Sequence, residues 1–435
     1  RSRRDAMAEA IQKTFLTISG GALTEVAGFL ALCAMDLALG SDIGLVMAKG
    51  VVIGLVGTMT ALPAMLLALD GPIHRFHHKA LLPSFKKTAD FVTKHYGLLT
   101  VVFLLLFVPS IYGELHTKQY YNLIDSLPQS MDSVVSTNKL RVQYNMTTSH
   151  FIIVRDDLEP AATRELISRI ESMKGITSVL AYEKFAGPLL PADLIPESIR
   201  SLFQVKGRNL ILVNSEYRAA TSEVNAQLDA IIGIAKSYDP GALVTGEGAL
   251  TKDLIRIAAQ DFKRVDLVSI GAVFLIILFI FRSLSIPLIL VGSIELAIFI
   301  NMGVPFFAGQ TIPFIASIVI GCIQLGVTID YAILLVTRYR EELGKGSTAK
   351  EAMKTALVGS ARSIVTSGLT LFAATAGVGF VSTIAILQSL CGMIARGALI
   401  SMLIILFILP ALLVACEPII EKTSLKWPRA LQDQG

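Results

Sequence analysis

The sequence predicts an all-α polytopic membrane bundle of about eight spans, with one additional α+β domain. Of the 435 residues, 53% are hydrophobic and only 17% are charged, and the mean hydropathy is +0.64. Soluble globular proteins average about 45–50% apolar and about 25% charged residues. The apolar residues form long runs, which a single long polar block, 114–263, interrupts. The composition therefore argues against a soluble enzyme and for a multi-pass membrane protein.

The apolar runs are long enough to cross about 30 Å of hydrocarbon. They carry few charged residues, and the third run is the shortest. The predicted spans are 15–35, 43–68, 97–113, 264–281, 285–303, 312–336, 360–382 and 391–415.

Basic residues cluster in the connections on one predicted side of the membrane. These connections are the start 1–14, the linker 69–96, the stretch 338–358 and the tail 417–435. The opposite loops, 36–42, 304–311 and 383–390, are almost free of Lys and Arg. Cytoplasmic loops carry an excess of Lys and Arg. We therefore expect a protein of the cell (plasma or inner) membrane whose block 114–263 lies outside the cytoplasm.

The block 114–263 has the pattern of a small mixed domain. Its predicted elements are the strand 151–154, the helix 159–173, the strands 176–181 and 210–213, the helix 219–238 and the strand 242–244. This order is that of a split βαβ unit, so we expect a ferredoxin-like domain. A helix that starts near Leu250 is expected to run directly into the fourth span.

Two internal similarities indicate a duplication. Glu9-Ala-Ile11 resembles Glu351-Ala-Met353, and Leu62-Pro-Ala64 resembles Leu409-Pro-Ala411. Duplicated spans are common in transporters. We therefore expect a chain that is the C-terminal part of a two-repeat protein whose N-terminal repeat is largely missing. Its parts would be the last two spans of the first repeat (15–68), the first span of the second repeat (97–113), the block 114–263 and a five-span bundle (264–416).

The main candidate for chemistry is Asp330, in the stretch Gly326-Val-Thr-Ile-Asp330-Tyr331 within the span 312–336. A carboxylate at mid-bilayer costs roughly 2.5–3.5 kcal/mol, and such residues usually face the bundle interior. Asp330 lies about two turns before the charged boundary at Arg338, so its side chain cannot easily reach the interface. The functional interpretation is that Asp330 carries a proton. The alternative is that Asp330 makes a structural hydrogen bond to a neighbouring helix.

The same stretch resembles a known family. Gly326 to Tyr331, followed by Arg338-Tyr-Arg-Glu-Glu342, is similar to the fourth-span signature of resistance–nodulation–division (RND) transporters of the mycobacterial membrane protein large (MMPL) type. The resemblance covers essentially the whole chain and implies a proton-driven exporter of lipids or amphiphiles. In that family an Asp–Tyr pair from each repeat meets at the bundle centre. Asp330 and Tyr331 would be one pair, and the partner pair would lie before residue 1, so the chain alone should not transport.

Other polar residues in the spans are weaker candidates. An accessory relay or hydrated path could use Glu295, Gln324, Ser363, Thr366, Thr370 and Glu25. Each of these side chains could equally be a satisfied buried group or allow close helix packing. Lys49 and Arg396 are candidates for contact with lipid head groups, although simple snorkelling to the interface is the alternative.

Several functions find no support in the sequence. There is no Walker A loop, GxGxxG motif or Ser-His-Asp arrangement, and the cysteines are too far apart for a metal site. We expect no enzyme activity, no metal, no cofactor other than the coupling proton, and no nucleic-acid partner.

The expected function is export of a lipid or amphiphile, driven by the proton-motive force. A non-transporting lipid- or sterol-sensing receptor is the alternative, and an envelope scaffold is a third. Oligomeric state stays open, with a homo-oligomer as one alternative.

Overall fold

The structure is a computed structural model that describes residues 3–76, 82–121, 127–185 and 195–430. The chain divides into two compact units. We call residues Arg1–Gln119 and Gln260–Gly435 the membrane unit, and residues Tyr120–Ala259 the inserted unit.

Helices dominate the described chain. In chain order they are α1 (Arg3–Ala31), a 3-10 turn (Leu32–Ala34), α2 (Ala38–Met59), α3 (Ala61–Ala68), α4 (Asp70–Arg75), α5 (Lys86–Lys94), α6 (Tyr96–His116), α7 (Asp132–Tyr144), α8 (Pro160–Glu171), α9 (Tyr182–Phe185), α10 (Glu197–Phe203), α11 (Ser222–Tyr238), α12 (Glu247–Phe281), α13 (Ser285–Phe307), α14 (Phe314–Leu343), α15 (Ala349–Val381), α16 (Ala385–Leu403), a π-helical segment (Ile404–Ile408), α17 (Leu409–Ala415) and α18 (Glu417–Thr423).

The strands are few and short. They are β1 (Gln119–Tyr120), β2 (Thr148–Arg155), β3 (Ile176–Leu180), β4 (Gln204–Val205), β5 (Arg208–Ser215), β6 (Leu243–Gly246) and β7 (Ile312–Pro313).

The predicted polytopic helical bundle is confirmed. Within the described residues, 7 helical stretches are long and apolar enough to cross a membrane. They are Ala38–Ala68, Tyr96–His116, Glu247–Phe281, Ser285–Phe307, Phe314–Leu343, Ala349–Val381 and Ala385–Ala415. The segments Arg3–Phe15 and Ile18–Ala34, bent by 41° at their junction, would together form an eighth span.

One predicted connection is largely helical instead. The stretch 338–358 contains the last residues of α14 and the start of α15, so its charged residues extend the two helices beyond their apolar parts. A capping box starts α15, because the Thr348 side chain accepts a hydrogen bond from the Glu351 backbone N–H and Glu351 reciprocates. This motif satisfies amide groups that would otherwise lack partners at a helix start.

The inserted unit contains an antiparallel sheet with the strand order β3-β5-β2-β6, and β4 pairs with β5. Each predicted strand and helix of this unit is present within a few residues, and the helix from Glu247 continues unbroken to Phe281, as expected. The central strands β2 and β5 alternate between buried and more exposed positions. Their inward side chains, Ile152, Val154, Ile211 and Val213, pack with residues of α8 and α11 in one core.

Prolines shape both helices that carry the repeated Leu-Pro-Ala stretch. Pro63 follows the break between α2 and α3 at Thr60, and Pro410 follows the π-helical segment Ile404–Ile408. Proline removes a backbone donor and its ring clashes with the carbonyl four residues earlier. The helix therefore changes its geometry in the turn before each proline.

The end of the chain is attached to α14 through a buried carboxylate. Glu417 accepts hydrogen bonds from the Tyr339 hydroxyl, at 2.7 Å, and from the Trp427 indole nitrogen, at 3.0 Å. Burial raises the pKa of Glu417, while these two donors oppose the rise. The three side chains hold the segment after α18 against the end of α14.

Candidate functional site

Asp330 lies where α14 crosses α1, against a glycine. A Cβ atom built on Gly21 would lie 2.0 Å from the Oδ1 atom of Asp330, so any larger residue at position 21 would collide with the carboxylate. The same oxygen is buried and has no hydrogen-bond partner among the residues that the structure describes. The next residue, Tyr331, packs against the core of the membrane unit.

Small residues allow the two helices to approach closely. A Cβ atom on Gly28 would lie 3.6 Å from the Cα atom of Gly326. A Cβ atom on Gly326 would lie 3.5 Å from the Cα atom of Glu25. Glycines at membrane helix crossings let backbones come together. The crossing therefore places the predicted candidates Glu25 and Asp330 on facing sides of one tight interface.

The structure gives Gln324 a structural position rather than one beside Asp330. Its Oε1 atom accepts a hydrogen bond of 2.8 Å from Asn301, and its Nε2 atom donates one of 2.9 Å to Ser401. All three side chains are buried. Gly397 leaves room for the network, since a Cβ atom there would lie 2.6 Å from both the Gln324 and the Asn301 amides. The network ties α13, α14 and α16 together, which the sequence pattern did not reveal.

Arg396 belongs to the same network. Its Nε atom donates to the Asn301 side chain at 2.8 Å, and an Nη atom donates to the Asn301 backbone carbonyl at 2.9 Å. These two atoms are engaged by α13, and the predicted contact of Arg396 with lipid head groups stays a prediction. Lys49, its counterpart in the predicted duplication, is exposed, and its lipid contact also stays a prediction.

The hydroxyl stripe on α15 does not face the buried interior. Ser363, Thr366 and Thr370 are exposed. The hydroxyls of Thr366 and Thr370 donate to backbone carbonyls one turn earlier in the same helix, at 2.9 and 2.8 Å. The prediction that these side chains line a path to Asp330 stays a prediction.

Glu295 opens onto a separate acidic cavity of about 270 Å³. Glu114 on α6 and Asp266 on α12 line the same cavity. Sequence reasoning missed both residues because they lie near the boundaries of predicted spans, where a charged side chain is ordinary. Apolar residues such as Phe262 and polar residues such as Ser317 complete the wall. Within the described residues, no group of three or more His, Cys, Asp or Glu side chains is arranged to hold a metal ion.

The fold and the intramembrane site together define a multi-pass membrane protein of the RND transporter type. The sequence matches the MMPL family over residues 1–87 and 127–431. The chain belongs to the MMPL family, as its Asp330–Tyr331 stretch predicted.

Curated relatives cover much of the chain at low identity. The membrane protein ActII-3 of Streptomyces coelicolor is 26% identical over 386 residues, which is 85% of this chain and 51% of that protein. The mycolic acid-containing lipids exporter MmpL11 of Mycolicibacterium smegmatis is 24% identical over 75% of this chain and 34% of that protein. The heme uptake protein MmpL11 of Mycobacterium tuberculosis is 25% identical over 48% of this chain and 23% of that protein. The chain thus spans between about a quarter and about half of the length of these relatives.

The fold is also similar to that of a solved structure. The translocon-associated membrane protein SecDF of Thermus thermophilus superimposes with a TM-score of 0.56 and 15% sequence identity. The alignment covers 96% of this chain and 50% of that chain. At this identity the likeness shows a shared fold.

Proposed function

We propose that this chain is part of a secondary transporter that moves lipids or amphiphiles out of the cell, driven by proton influx, and that Asp330 carries the proton. The main support is the buried Oδ1 atom of Asp330, which has no hydrogen-bond partner in the described chain and lies against Gly21. A carboxylate in hydrocarbon without a partner is costly, and protonation lowers that cost because it removes the charge. Gain and loss of a proton would therefore change how tightly α1 and α14 pack.

Contacts at one end of the bundle would carry this change to α12. The buried carboxylate of Asp261 accepts hydrogen bonds from the backbone N–H groups of Asp36, at 2.9 Å, and Leu37, at 3.1 Å. Arg264 also pairs with Asp36 at 2.6 Å. The connection between α1 and α2 is therefore attached to α12, which continues without a break into the inserted unit. A movement of α1 would be transmitted along this helix.

The inserted unit would be an exoplasmic, ferredoxin-like domain that helps to select the substrate. Its strand order, with two helices packed against one antiparallel sheet, supports this assignment. A fold of this kind does not by itself specify a ligand. The relatives named as a lipid exporter and as a heme uptake protein support an amphiphilic or apolar cargo.

The test uses the full-length protein in vesicles made from the total lipid extract of the source cells. A pH gradient is imposed, and proton uptake is followed with an entrapped pH-sensitive dye. We expect uptake in the wild type, and we expect the Asp330→Asn variant to fall to the background of empty vesicles. Glu9→Gln is the matched control, since Glu9 lies in the charged first part of α1 and forms an i,i+4 pair with Lys13.

Wild-type uptake in the Asp330→Asn variant would overturn the proposal. The receptor alternative predicts a different result, because lipid binding without transport would persist after an ionophore collapses the gradient. Binding that survives the ionophore, together with proton uptake that never exceeds background, would favour a receptor.

A further inference from the structure

The crossing of α1 and α14 contains two carboxylates arranged reciprocally. Asp330 lies against Gly21, and four residues further along α1 Glu25 lies against Gly326, which is four residues before Asp330 on α14. The helices run in opposite directions here, so each acid packs beside the other helix's glycine. The reciprocal packing involves all four residues, Gly21, Glu25, Gly326 and Asp330. The inference drawn from it rests on the proposed function of Asp330.

No base neutralises these acids within the crossing itself. The contacting stretches 21–28 and 322–331 contain no Lys, Arg or His. The nearby hydroxyls are also engaged, because Thr24 donates to the Gly21 carbonyl at 2.6 Å and Thr328 donates to the Gln324 carbonyl. The Thr24 and Thr328 hydroxyls are therefore not donors to either carboxyl group.

The charged groups on the other helices packed against α14 are directed elsewhere. Arg396 of α16 donates to α13, Arg362 of α15 donates to the segment before α5, and Glu295 of α13 faces the acidic cavity. Glu25 lies one helical turn along α1 from Gly21, the residue that packs against the Asp330 carboxylate. Among the described ionisable groups, Glu25 is thus the one placed to influence the state of Asp330.

We propose that Glu25 and Asp330 form a carboxyl–carboxylate pair that shares one proton, with Glu25 as the second proton-carrying residue of the transporter. In the transfer step the O–H bond of protonated Glu25 breaks and an O–H bond forms on Asp330. The net charge of the pair stays at one negative charge, so the step adds no charge to the membrane interior. Two carboxylates in one site resist simultaneous ionisation, which makes the singly protonated pair the stable form.

Infrared spectroscopy of the purified full-length protein in lipid nanodiscs tests the pair without a substrate. The carboxyl C=O band is followed during a pH titration of the wild type, Glu25→Gln, Asp330→Asn and the double variant. Coupled groups titrate in steps that belong to the pair. We expect Glu25→Gln to remove one step and to displace the step that Asp330→Asn removes, by about one pH unit or more. The two single effects should not add up to the effect of the double variant. Glu9→Gln should leave the two steps of the Glu25–Asp330 pair in place.

The outcomes separate this inference from the proposed function. If Glu25→Gln leaves the Asp330 step at its wild-type pH, the shared proton is excluded while the Asp330 carrier stands. If Asp330→Asn removes no titrating step, the proposed function itself fails. The Glu25→Asp variant is the control for misfolding. It keeps a carboxyl group at position 25 and should therefore titrate in two coupled steps like the wild type.

Discussion

Gly21 determines the space in which the Asp330 carboxylate lies. The sequence identified Asp330, since an acid in an apolar run is conspicuous, but it could not identify Gly21 as its neighbour. Helical periodicity shows which residues share a face, whereas the rotation of one helix against another depends on packing between distant segments. The same limit applies to Glu25, which the sequence marked as a candidate without showing that it faces α14.

Replacing Gly21 should therefore disturb the site directly. In Gly21→Ala the new methyl group would collide with Asp330, and such overpacking costs about 1–3 kcal/mol. Alanine recovers about 1 kcal/mol through its better helix propensity, so we expect a net loss of stability in thermal unfolding, together with reduced proton uptake.

The control for this substitution is Gly54→Ala. Gly54 lies in α2, and a Cβ atom there meets no atom within 4 Å. This variant should unfold at the wild-type temperature or slightly above it. Equal effects of the two substitutions would show that Gly21 is not in contact with the carboxylate.

His150 should make the inserted unit sensitive to acid. The side chain is buried on β2, and its ring nitrogens have no hydrogen-bond partner among the described residues. Burial lowers the pKa of His150 from 6.5 to about 4. The folded unit therefore favours neutral histidine, and its stability should fall as the pH drops from about 6.5 towards about 4. The loss amounts to about 3 kcal/mol.

Hydrogen exchange of the β2 amides in the full-length protein measures this effect. His150→Gln should lose less protection than the wild type between pH 7 and pH 4, because glutamine does not take up a proton. His74→Gln, at an exposed position, should behave like the wild type. Identical acid sensitivity of wild type and His150→Gln would contradict the assignment.

At the scale of elements, the number of spans and their apolar cores could be predicted, but helix ends could not. The charged residues of 338–358 suggested a loop, yet the Thr348–Glu351 capping box starts α15 there. Charge alone cannot separate a loop from the water-exposed end of a long helix. The central strands of the inserted unit were predictable because short, continuous apolar runs, here 151–154 and 210–213, are typical of buried strands. The helix α7 was not predicted, and its sequence shows little amphipathic pattern.

The network around Asn301 should contribute measurably to bundle stability. In Asn301→Leu, Gln324 and Arg396 each lose a hydrogen-bond partner inside the bundle. Interhelical hydrogen bonds in membranes contribute about 1–2 kcal/mol, so we expect a lower unfolding temperature in detergent. Gln388→Leu is the control, because that exposed amide donates only to Ser382, in the turn just before its own helix. An unfolding temperature for Asn301→Leu as high as that of the control would exclude a stabilising network.

At the scale of the whole molecule, α12 contains one of the two points at which the chain passes between the units. Ala259 is the last residue of the inserted unit and lies within this helix. Ala259→Pro should kink the helix at a cost of about 3 kcal/mol, whereas Ala259→Gly costs about 1 kcal/mol. We expect the proline variant to lose gradient-driven proton uptake while the carboxyl titration of the membrane unit is preserved. If proton uptake by Ala259→Pro equals that by Ala259→Gly, a rigid α12 is not required.

The bonds from Tyr339 and Trp427 to Glu417 have a mechanical consequence. The bond from Tyr339 fastens the far end of the helix that carries Asp330, so sliding this helix along its own axis would break a buried hydrogen bond. Tilting about the fastened end leaves that bond intact. If α14 tilts about its fastened end, a small displacement near Asp330 becomes a larger displacement at the opposite end of the helix.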